Sequence, residues 1–187
     1  MSGTGTEQEE KMSNKIFSEQ DINVYNFIYN NDQVILNMLS DFEEIAWIDR
    51  TGGFKEGVIK TTNLKNLNLE NRHLYVSFIS EINSYLKEKS LSFVFPIENL
   101  FIKIVPESSY TQQFLNPGLV DTVSILYVAN SNHMGSTINF TNKNISLPIE
   151  KGNLIIFPSS EEYVYTIGQV NSGELIVGIS YVEVQNV

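Results

Sequence analysis

Apolar residues recur along this chain with two different periods, and the change between them falls at Ser90. Before it, the stretch NNDQVILNMLSDFEEI places Val34, Ile35, Met38, Leu39 and Phe42 at helical spacing, with Asn31 or Asp32 available as N-cap. Residues three and four apart share one face of an α-helix, so the pattern predicts a helix over about 32–44, with Trp47 extending its apolar face. Leu74, Phe78, Ile82 and Leu86, flanked by Tyr75, Ile79 and Tyr85, form the strongest stripe in the chain and predict a second helix over 71–88. Between the two, Gly52, Gly53 and Gly57 break any helix and suggest a loop or hairpin before a short strand near Val58.

Beyond Ser90 the helical period disappears. Short runs of Val, Ile, Phe and Tyr alternate with Asn, Gly, Ser and Pro, which is strand chemistry. The expected strands are 92–95, 100–105, 121–129, 136–141, 144–149, 152–157, 162–168 and 174–184. Eight short strands with turn signals at this spacing predict a jelly roll, two antiparallel sheets burying alternate side chains against each other. The fold class is thus α+β and mainly β, with both helices packed on one sheet.

Composition narrows the picture. The chain has 187 residues, a length that suits one domain. Residues 1–14 hold no large apolar side chain except two methionines and predict a flexible tail, leaving 15–187 as a single domain with its β core at about 92–184. A hydrophobic fraction of 42% with 11% aromatics is enough for a sizeable core. Twelve basic against twenty-two acidic residues give a net charge of -10, which repels phosphates and argues against direct nucleic-acid or anionic-membrane binding. With no cysteine, disulfides, thiolate metal sites and a cysteine nucleophile are excluded. No apolar run reaches the ~20 residues of a membrane span, and the polar, acidic start is unlike a signal peptide, so the expectation is a soluble protein.

Three stretches carry a resemblance to a known family. SSYTQQFLNPGLVDTVSILYV ends in a strand after a Pro-Gly turn, GSTINF from Gly135 to Phe140 is a short strand, and KGNLIIFPSSEEYVYTI…SGELIVGISY frames two more. Over about residues 98–184 the chain resembles the 2-oxoglutarate/Fe(II)-dependent oxygenases, in their prolyl-hydroxylase-like, phage-type branch. The resemblance implies a double-stranded β-helix and a site of two histidines and one carboxylate, which leaves three iron positions open for co-substrate and oxygen. It also implies an arginine or lysine on the last strand that pairs with the co-substrate's far carboxylate.

Carried over position by position, the first histidine falls on Phe114 and the next ligand on Asn116. The distal histidine falls on Tyr163 and the arginine on Leu175. The chain's two histidines, His73 and His133, and its two arginines, Arg50 and Arg72, stand elsewhere. Phe114 reads as pocket filling, Asn116 as a turn residue beside Pro117, and Leu175 as core. Tyr163 ligates a metal only as a phenolate, and a free phenol ionises near ~10. Adjacent Glu161 and Glu162 point to opposite sides of an extended strand and read as a solvated turn.

The expectation from these losses is a non-catalytic pseudo-oxygenase with no catalytic, metal or cofactor residue, Phe114, Asn116, Tyr163 and Leu175 being vestigial positions. Because the resembling branch is phage-type, the expected role is structural, a neck, tail or head-associated virion component in a homo- or hetero-oligomeric assembly with other protein subunits. The expected location is the virion or host cytoplasm. The alternative is an active oxygenase or other metalloenzyme with an atypical ligand set drawn from Asn116, Asp121, Glu162, Tyr163 and His133. A cupin-like binder of sugars or small molecules is a third reading.

Overall fold

A computed structural model describes residues 13–27, 48–49, 60–63, 71–104, 110–111, 121–130, 133–168, 170–173 and 175–187. The predicted helix at 32–44 and the positions Phe114 and Asn116 lie outside the described residues. The chain opens with a hairpin of β1 (Ser13–Glu19) and β2 (Ile22–Phe27), so strand structure starts two residues inside the stretch expected as tail. Glu19 pairs with Ile22, which leaves a two-residue loop, and Gln20 and Asp21 in it both have positive φ, 46° and 64°. Two successive left-handed residues match the twist of a tight hairpin.

Short strands β3 (Ile48–Asp49) and β4 (Lys60–Asn63) precede the helix α1 (Asn71–Glu88), whose bounds are those the apolar stripe predicts. The two strands expected at 92–95 and 100–105 are one, β5 (Leu91–Ile104). Pro96 does not interrupt it: the pairing with β14 steps from Tyr181–Glu98 to Val182–Pro96, so β5 bulges at Ile97, and a bulge is a place where a strand tolerates a residue with no N–H to give. There follow β6 (Tyr110–Thr111), β7 (Thr122–Val128), β8 (His133–Met134), β9 (Thr137–Phe140), β10 (Ile145–Pro148), β11 (Asn153–Pro158), β12 (Tyr165–Ile167), β13 (Ser172–Gly173) and β14 (Leu175–Asn186). One-turn 3-10 helices at Thr141–Lys143 and Glu161–Tyr163 connect β9 to β10 and β11 to β12.

Two main sheets result. The larger runs β1-β2-β11-β7-β14-β5-β4-β3 and the smaller β10-β9-β12-β6, all pairings being antiparallel. After β5, strands β7, β11 and β14 join the large sheet and β6, β9, β10 and β12 the small one, so the chain passes back and forth between the two as in a jelly roll, with β8 and β13 forming a separate two-stranded ladder.

Strands in the middle of the large sheet are covered on both faces, which explains their unbroken apolar sequences. On β11, Ile155 and Phe157 face the barrel while Leu154 and Ile156 face α1; on β7, Leu126 and Val128 face the barrel while Val123, Ile125 and Tyr127 face α1. Phe78, Ile82, Tyr85 and Leu86 of α1 fill the outer layer, and the Phe78 ring lies 4.6 Å from that of Tyr127. Each such buried side chain stabilises by about 1.5–3 kcal/mol relative to exposure. Polar residues one turn away tie the same helix to the hairpin: Ser13 bonds Glu81, Lys15 bonds Glu88 at 2.6 Å, and Lys89 bonds Asp21. No described helix is long and apolar enough to cross a membrane.

Candidate functional site

The resemblance directs attention to the space between the two sheets. Across the large sheet Phe157, Ser124 and Tyr181 stand in one row, and across the small sheet Tyr165, Phe140 and Ile145 stand in another. The rings of Phe140, Phe157 and Tyr165 meet here. Phe140 and Phe157 are 4.8 Å apart at 80°, Phe157 and Tyr165 5.5 Å apart at 82°, and Phe140 and Tyr165 5.9 Å apart at 49°. Edge-to-face contact of this kind brings the positive rim of one ring to the negative face of another. Leu175 opens β14 opposite Ile104 and is fully buried within the same apolar cluster.

Tyr163 is not on the strand. It ends the Glu161–Tyr163 turn, and β12 begins two residues later, so the first inward position on that strand is Tyr165. The alternation Tyr163, Tyr165, Ile167 made the strand look longer than it is, and the 3-10 turn carries no strong sequence signal. The Tyr163 phenol donates to Asp21 Oδ2 at 3.1 Å, and the Lys143 ammonium stands 4.3 Å from the ring centroid. Burial first, then the bond to Asp21, pushes the phenol pKa above its ordinary value, so Tyr163 stays protonated at neutral pH. That disfavours the phenolate an iron would need.

Asp21 was not singled out from the sequence. The hairpin loop delivers it to the barrel rim, where Lys89 above all, with Tyr163 helping, holds its carboxyl below the ordinary range, although burial pushes the other way more strongly than the Tyr163 bond alone lowers it. The peptide oxygen of Asp21 also accepts from the Tyr85 hydroxyl at 3.0 Å. On the same rim Lys143 pairs with Glu162 at 2.6 Å, and the Glu161 carbonyl accepts from Asn142 at 2.8 Å. Ser159 donates its N–H to the Thr122 carbonyl at 2.9 Å, and its hydroxyl lies 2.6 Å from that of Ser124. Asp121, next to Thr122, therefore belongs to this end of the barrel as well.

His133 does not. It follows β7 and pairs with Gly173 in the small β8-β13 ladder. Strand β7 runs seven residues from Thr122 to Val128, roughly 20 Å end to end at ~3.3 Å per residue. The alternative ligand set is thus divided: Asp121, Glu162 and Tyr163 at one end, His133 at the other.

A site of two histidines and a carboxylate does not fit what stands at the centre. Tyr165 and Leu175 offer it neither imidazole nor cation, and both are fully buried within the apolar core. Among the described residues no group of three His, Asp or Glu is placed to hold a metal ion.

No family model matches the chain, and no curated protein matches its sequence. Solved structures do. A collagen prolyl hydroxylase of Paramecium bursaria Chlorella virus-1, in complex with 2-oxoglutarate, is similar with a TM-score of 0.61 and 12% identity, over 90% of this chain and 97% of that one. A Pseudomonas putida prolyl-4-hydroxylase gives a TM-score of 0.61 at 11% identity, over 87% and 92%. A Trichoplax adhaerens prolyl hydroxylase, solved with a hypoxia-inducible-factor peptide, gives 0.59 at 14% identity, over 87% and 84%. The fold is therefore that of the prolyl-hydroxylase-like 2-oxoglutarate/Fe(II) oxygenases, and the expectation of a non-catalytic chain is corrected by these structural neighbours, which are enzymes.

Proposed function

We propose that this chain is an enzyme of the 2-oxoglutarate/Fe(II)-oxygenase type whose donor set departs from two histidines and a carboxylate. The supporting observation is the completeness of the likeness. The likeness runs over 90% of this chain and 97% of the viral prolyl hydroxylase, and over 87% and 92% in the bacterial one. Fold alone does not specify chemistry, so the reading stands on a direct assay.

Of the atypical set, Asp121 and Glu162 stand at one end of the barrel and His133 at the far end of β7, while Asn116 lies outside the described residues. The virion-assembly role expected from the resemblance has no observation on the fold in its favour and is not part of this reading.

The test is turnover of 2-oxoglutarate. Purified chain incubated with Fe(II), ascorbate, oxygen and 2-oxoglutarate is expected to release succinate above the protein-free background, and to lose that activity when chelator is added. Succinate at background level over a range of iron concentrations would overturn the proposal.

A further inference from the structure

We draw no further inference here: the strongest candidate, the open cleft between the last turn of α1 and the first residues of β5, where Leu86, Leu91 and Phe93 lie beside Lys87, carries nothing because nothing in the structure shows what covers it.

Discussion

The Tyr163 hydroxyl donates to Asp21 Oδ2 across 3.1 Å, joining residues 142 positions apart and fastening the first hairpin to the turn that leads into β12. Asp21 is shared. Its other carboxylate oxygen meets Lys89 at the end of α1, so one side chain ties hairpin, helix and barrel rim together. Asp21→Asn and Tyr163→Phe should therefore be non-additive. A double-mutant cycle by urea denaturation is expected to give a coupling of about 0.5–1.5 kcal/mol, the range for a hydrogen bond to a partly buried group. Additive effects would mean that the bond contributes nothing to stability.

Acid should loosen the same fastening. The Asp21 carboxyl is held below its ordinary pKa chiefly by Lys89, and the Glu88 carboxyl below its own chiefly by Lys15. A carboxylate depressed in the folded state contributes stability that is fully present above the unfolded value and is lost as pH falls through the folded one. Melting midpoints of wild type and of Asp21→Asn with Glu88→Gln should differ most near neutral pH, wild type being the more stable. The gap should close from about pH 4 downward, where unfolded carboxylates also protonate. A gap that stays constant from pH 7 to 3 would contradict this.

Gly135 has φ +77° and abuts Asn171, whose Nδ2 and Cγ would stand 2.1 and 2.7 Å from an added Cβ. Gly135→Ala therefore combines a left-handed backbone with a contact that must give way. It is expected to cost about 1–3 kcal/mol, and Asn171→Ala in the same chain should recover the part due to contact but not the backbone part. Chemical denaturation of the two variants separates these contributions.

The outer layer depends on α1. Ile82 is 1% exposed beneath the helix, and Ile82→Ala is expected to destabilise by about 2–5 kcal/mol through transfer and cavity costs. Asn83, the next residue, points to solvent, and Asn83→Ala should stay within about 0.5 kcal/mol of wild type. Equal effects at the two positions would mean that the helix does not pack through this stripe.

What was legible in the sequence follows from how each element is specified. The stripe from Leu74 to Leu86 has one periodic face, and α1 was readable to its ends. Strands β7 and β11 are buried on both faces and show as dense apolar runs between turn residues, so their limits came within a residue. The first hairpin was not readable, because Gln20-Asp21 occupies a loop whose usual signal is Asn-Gly or Asp-Gly. Asp21 was missed with it. Pro96 made one strand look like two, although β5 carries it through beside a bulge at Ile97.

At the candidate site, the replacement of imidazole and guanidinium positions was visible residue by residue. The inward place of Tyr165 was not, since it depends on where a 3-10 turn stops. Reading missing residues as missing chemistry went further than side-chain identities allow. The conserved-looking frame says where strands lie, and the donors that serve a reaction are set by which ends those strands bring together.

The most direct test of the account is an anaerobic Fe(II) titration of the wild-type chain followed by metal analysis of the desalted protein. About one equivalent of tightly held iron is the predicted result. Less than a tenth of an equivalent across the titration, with no succinate formed from 2-oxoglutarate, would contradict it.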